Sequence, residues 1–205
     1  MVFPVLTSVV IFIIVMFLFN KKSSRQMQEP LTQFWEKEQE ANLVRKQSLD
    51  QLDYIRIPEE FYSVSYDAQE DKDAAEALQI LNSLRDEKIV NLTGISNTDL
   101  KLSFGPANLP ELSRFDQNYT LLARALQSLA EYHARKEQTD EAQHILEFAL
   151  DTGTDISSSY RLLADLYIKN GCPEKINEML PKAAALKSAM SAAIIRSLEE
   201  KKASV

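Results

Sequence analysis

The side chains that most often carry acid–base, thiolate or metal chemistry at neutral pH are here two histidines, one cysteine and 30 Asp and Glu. His133 and His144 stand eleven residues apart and are expected on different helices, so no shared helix face presents them as a ligand pair or an acid–base couple. His133 falls on Tyr167 when the chain is shifted by 34 residues against itself and is expected as a partly buried structural histidine, whereas His144 is expected in solvent. Cys172 has Lys169 and Lys175 three residues to either side and precedes a helix start, and it is read as structural or incidental. The pairs Asp140-Glu141 and Glu199-Glu200 lie where helix-terminal or surface charge belongs. No Gly-rich phosphate loop, dinucleotide fingerprint or nucleophile elbow is present. The residues therefore point away from an enzyme, with no catalytic, cofactor-binding or metal-ligating set and no cofactor.

What remains is a surface, and the elements that would carry it are helical. The chain has 205 residues, 45% of them hydrophobic and 26% charged, with four glycines and seven prolines. So few glycines argue against turn-rich β-sandwiches, and a single thiol excludes an internal disulfide framework. An all-α fold is expected.

Residues 2–19 read VFPVLTSVVIFIIVMFLF, without a charge. As a helix rising about 1.5 Å per residue they would span roughly 27 Å, close to a hydrocarbon core of about 30 Å. No basic region precedes the run and no small-residue cleavage site follows it, which favours a single uncleaved transmembrane helix over residues 1–20 rather than a signal peptide. Lys21, Lys22 and Arg25, in a basic juxtamembrane segment 21–29, would face the cytoplasm, with the C-terminal domain on the same side. The partner expected for residues 2–19 is the lipid bilayer. Taking those three positive charges from the net −7 leaves −10 on residues 26–205, which argues against nucleic acid and against anionic lipid as partners of the main domain. Asn91-Leu92-Thr93 and Asn118-Tyr119-Thr120 match the glycosylation acceptor pattern and are read as unmodified on the cytoplasmic side.

Residues 30–115 form the next expected region. Leu31, Phe34, Trp35, Ala41, Val44, Leu49, Leu52 and Ile55 share half of a helical wheel, predicting one amphipathic helix from Pro30 to about Ile55. That helix would pack on the domain, join copies of the chain into a homo-oligomer, or lie on a membrane, the last being least favoured by its mixed, slightly acidic polar face. A loop is expected over Arg56 to Tyr66, where Phe61, Tyr62, Val64 and Tyr66 favour extended backbone. A helix over about Asp71 to Lys88 follows, with Asp73 as N-cap and Glu76 three residues on. Residues 91–112 look irregular, and Asn97, Asp99, Lys101 and Asn108 would be the polar contacts of a partner-binding loop there.

Beyond Asp116 the sequence repeats itself. A shift of 34 residues superposes Leu129 on Leu163, Ala130 on Ala164, Leu146 on Leu180 and Ala149 on Ala183. With Ala142, these small and apolar sites are the expected packing positions between helices. The segments LQSLAEYHARKEQTDEAQHILEFAL and YRLLADLYIKNGCPEKINEMLPKAA resemble two units of the tetratricopeptide-repeat family, whose period is about 34 residues. The resemblance implies antiparallel helix pairs over residues 116–205, with Ala130 and Ala164 on the first helix of each unit and Ala142 and Ala149 on the second helix of the first. Glu137 replaces the usual turn glycine, Ile176 an alanine, and Pro181 is expected to end or kink its helix near Leu180. Ala183 to Lys202, with Leu186, Met190, Ile194 and Leu198 on one face, would cap the array at one end and the helix at 71–88 at the other. The resemblance further implies a concave face for a protein or peptide partner, lined by Arg124, Gln127, Glu131, Arg135, Arg161, Asp165 and Lys169.

Overall fold

The computed structural model describes residues 31–62 and 71–204. The apolar run 2–19 and the flank Lys21, Lys22 and Arg25 lie outside the described residues, as do Val64 and Tyr66. Among the described residues no helix is long and apolar enough to cross a membrane. They form an all-helical chain of eight α-helices without a strand. Residues 31–43 are α1; then come α2 (Lys72–Leu84), α3 (Asn97–Phe104), α4 (Leu109–Arg135), α5 (Thr139–Asp151), α6 (Ser157–Lys169), α7 (Ile176–Ala185) and α8 (Ser191–Ala203). Short 3-10 turns occupy Glu59–Tyr62, Pro106–Asn108 and Pro173–Lys175.

Two units share these helices, and they interleave along the chain. Described residues 31–47 and 96–108 make unit 1; residues 48–95 and 109–204 make unit 2. The single boundary expected between residues 115 and 116 is replaced by three crossings, because residues 48–95 fold with α4 to α8 rather than with α1.

Unit 2 is a succession of nested helices. α2 packs on α4, α4 on α5, α5 on α6, and α6 on both α7 and α8, while α4 also touches α6 and α5 touches α7. Connections of a few residues force consecutive helices such as α4 and α5 to run antiparallel, and the second-neighbour contacts sort them into two layers. Leu129, Ala130, Ala142, Leu146, Ala149, Leu163, Ala164 and Ala183 are all buried in one apolar cluster; Leu180 packs at its edge, half-buried. An alanine at a helix crossing lets the axes approach closely, and the neighbouring Leu and Tyr side chains then fill the space beside it. Tyr160 and Phe115 are among the largest fully buried side chains.

The turns of this unit repeat one device. Gln138 N–H donates to His133 C=O at 2.9 Å, Thr154 N–H to Ala149 C=O at 3.3 Å, and Cys172 N–H to Tyr167 C=O at 2.9 Å. Each bond spans five residues and closes a helix C-terminus around a residue of positive φ. Gly153 and Gly171 fill that position in two of the turns, and Glu137, at φ 61°, fills it in the third.

Several expected boundaries shift. Pro181 lies inside α7, which runs on to Ala185; Asn177 and Pro181 are both exposed, so the carbonyl that loses its helical donor is open to water. The expected cap from Ala183 to Lys202 is broken after Ala185 and resumes as α8, where Ile194 and Leu198 are buried while Met190 is 42% exposed. α2 ends at Leu84, short of Lys88, and Asp73 sits in its first turn with Asp71 as N-cap.

In unit 1 the predicted long amphipathic helix stops at residue 43. The chain beyond it finds tertiary partners instead: Gln47 N–H donates to Phe104 C=O at 2.9 Å, and the Asn108 amide donates to Gln47 C=O at 2.8 Å. The stretch read as irregular, 91–112, contains α3, a 3-10 turn and the start of α4. Ser96 caps α3 by accepting from Asp99 N–H at 3.2 Å, and the Ser96 hydroxyl donates to the Asp99 carboxylate at 2.6 Å. Gly105, at φ 83°, ends it; an added Cβ there would meet Arg45 O at 2.7 Å.

Candidate functional site

Histidines 133 and 144 come closer than their separation suggested. Both line a cavity of about 170 Å³ in unit 2, with Phe61, Leu129 and Ile145 as its apolar wall and Glu60 and Glu141 at its rim. His133 is buried, with Nδ1 2.8 Å from Gln138 Oε1, which fixes the ring at the end of α4. His144 is exposed as expected, yet its Nε2 lies 3.2 Å from Glu60 Oε1 and its ring meets Phe61 edge-on at 5.3 Å. The Glu60 carboxyl is held below its usual range first by its own backbone N–H and then by His144. This contact fastens the Glu59–Tyr62 turn to α5. No group of three metal-binding side chains occurs among the described residues.

Cys172 is half-buried, and Asp140 and Glu141 stand exposed in the first turn of α5. Burial pushes the Tyr119 hydroxyl up to about 12 and raises those of Tyr160 and Tyr167 as well, so all three stay protonated. Tyr167 donates to Glu147 Oε1 at 2.9 Å, tying α6 to α5. Both acceptor-pattern asparagines are committed to the fold: Asn91 donates to the carbonyls of Thr152 and Gly153 at 3.0 Å each, and buried Asn118 donates to that of Lys88 at 3.0 Å.

The four residues expected on a partner loop are distributed differently. Asn97 is exposed in the first turn of α3. Asp99 pairs with Lys37 at 2.7 Å, Lys101 pairs with Glu38, and Asn108 is buried against Gln47 and Phe104. Asp99 and Lys101 join α3 to α1, Asn108 ties the following turn to Gln47, and an open loop is not what they form. Lys101, then Thr98, keep Glu38 below its ordinary 4.5. Lys37, then Ser96, keep Asp99 below its ordinary 3.8.

The face formed by α4 and α6 carries the remaining candidates. Arg124, Glu131 and Arg135 are exposed on α4, and Arg161, Asp165 and Lys169 on α6. Gln127, expected among them, is buried: its amide donates to Glu131 Oε1 at 2.6 Å, and its carbonyl oxygen accepts from the Ser159 hydroxyl, joining α4 to α6. Asp165 pairs with Lys201 of α8. A shallow groove of about 330 Å³ between the two helices is lined by Glu131, Ala134, Arg135 and Leu162. Nearby on α4, Leu121 is 41% exposed. The face thus offers basic side chains in excess, the Glu131 carboxylate held by Gln127, and apolar contact at Leu162. The sequence pattern missed Lys201 and Ser159 because each acts through a neighbour 32 or more positions away.

No protein-family model, curated protein or solved structure matches this chain.

Proposed function

We propose that this chain is a membrane-tethered protein–protein interaction module: residues 2–19 anchor it as a single-pass protein, and a tetratricopeptide-like array in the cytoplasm binds another protein. The α4–α6 face carries the reading. Arg124, Arg135, Arg161 and Lys169 outnumber Glu131 and Asp165, and Lys201 offsets the latter, on a chain whose net charge is −7. An acidic, extended or helical segment of a cytoplasmic protein complements that excess. The two-layer order of α4 to α8 and the buried Ala130, Ala142, Ala149, Ala164 and Ala183 support the repeat resemblance. Tethering raises the effective concentration of the face near the bilayer, so modest affinity suffices. No reaction, cofactor or nucleic-acid partner is assigned to the chain.

The test is capture of a single cytoplasmic protein by the full chain in lipid nanodiscs, compared with Arg124→Glu/Arg161→Glu. Loss of capture by the folded double variant is expected; undiminished capture rejects the groove. A second reading, a homo-oligomer or accessory subunit joined through α1, draws on Leu43, which is 84% exposed. It requires concentration-dependent self-association that Leu43→Ser abolishes.

A further inference from the structure

Leu31, Phe34 and Trp35 are large apolar side chains, yet they stand 56%, 49% and 54% exposed on the first described turn of α1. Their i, i+3, i+4 spacing gathers them on one side. The Phe34 and Trp35 rings meet edge to face with centroids 5.4 Å apart, forming one joined aromatic edge. Further along the helix, Lys37 and Glu38 turn to α3 and Ala41 is buried. The helix is therefore paired with α3 through Lys37 and Glu38 and about half exposed at its first described turn.

Chain position selects the occupant. Only residues 20–30 separate this turn from the uncharged run 2–19. Those eleven residues reach at most about 40 Å when fully extended, so a bilayer holding the run stays within range of the cluster. An indole with an apolar body and one N–H suits the headgroup boundary, where Trp and its aromatic neighbours collect. At 100° per residue, Glu36 and Glu40 fall on the far side of the helix from the cluster, and Glu38, which shares the cluster's side one turn further on, is paired with Lys101. Lys21, Lys22 and Arg25 add attraction to anionic headgroups close by.

We infer that Leu31, Phe34 and Trp35 form an interfacial foot that rests the start of α1 on the headgroup layer of the bilayer beside the anchor. This goes beyond the tether but rests on it. The foot is confined to one turn; further along α1, Lys37 and Glu38 pair with α3. Its role is to fix the angle and height at which the chain leaves the membrane, which a free linker would not do.

Trp35 is the only tryptophan of the chain, so its fluorescence reports the foot without labelling. The full chain is reconstituted in phosphatidylcholine–phosphatidylglycerol vesicles, with bromine placed either high on the acyl chains or near their ends. Loss of most Trp35 emission with the shallow bromines, little loss with the deep ones, and weak quenching by aqueous acrylamide are expected. Leu31→Ser/Phe34→Ser should restore acrylamide quenching while the protein still floats with the vesicles. Emission untouched by either bromine overturns the foot, and if acrylamide also fails to quench it, protein covers Trp35 instead of lipid. Flotation separates the two readings: protein that floats with Trp35 unquenched loses the foot alone, whereas protein that does not float loses the tether and the foot together.

Discussion

Units 1 and 2 are both helical, but different forces hold them. In unit 2 the α4 to α8 array is joined by apolar burial, with eight of the nine packing sites buried and small residues at the crossings. In unit 1 only Ala41 and Leu100 are buried among the apolar side chains of the described residues, and the contacts are Lys37–Asp99, Lys101–Glu38 and the Asn108 amide. Apolar burial scales with area and is insensitive to pH, whereas exposed ion pairs contribute little and depend on protonation. The difference implies that unit 2 resists changes of pH that loosen unit 1.

The largest effect should come from the array. Leu146 is fully buried, and Leu146→Ala should cost about 3 kcal/mol, the middle of the range for leucine truncation in a packed core. Thermal or denaturant unfolding followed by circular dichroism checks it, and a loss well under 1 kcal/mol would mean that α5 is not a core helix. Asn108→Ala removes two hydrogen bonds from a buried amide and should cost about 1–2 kcal/mol, felt in unit 1. Amide hydrogen exchange should show faster exchange at Gln47 and through α3 with α5 and α6 unchanged. Equal loosening of both units would erase the contrast.

Smaller still is Glu137→Gly. Glu137 holds the positive φ that Gly153 and Gly171 hold elsewhere, so glycine should stabilise the array by about 0.5–1 kcal/mol, set against the strain of a left-handed non-glycine residue. The last expectation concerns pH. Glu38 and Asp99 both titrate below their ordinary 4.5 and 3.8 in the folded protein, so their contribution is fully present above those values and is lost as pH falls through the lower, folded ones. Exchange protection of α3 should therefore decay on acidification before that of α5; simultaneous decay would mean that the ion pairs carry none of the difference.

The array was largely legible in the sequence because its signal is periodic. Ala130, Ala164, Ala149 and Ala183 recur at a fixed interval, and every one is buried. Unit 1 was not, because its determinants are either short or distant. Ser96 to Asp99 is a capping-box spacing that could have announced α3, yet it sits among glycines, prolines and asparagines that read as loop. Past the end of α1, Gln47 is held by Phe104 and Asn108, about 60 residues further on, and no local pattern carries that. Pro181 misled in the other direction, since an exposed proline leaves an unpaired carbonyl that water can satisfy. On the candidate face, Arg124, Arg135, Arg161 and Lys169 were recognisable from helical phase. Gln127 was not, because its burial depends on Ser159 across the groove.

Site-specific photo-crosslinking in intact cells tests the central claim, that the α4–α6 face recruits a protein. A photoreactive side chain is installed at position 161 on α6 and, separately, at position 43 on α1. The account predicts one dominant adduct with a different protein from position 161, lost when Arg124→Glu is added, and no such adduct from position 43. An adduct with a second copy of the chain from position 43, with none from position 161, would contradict it.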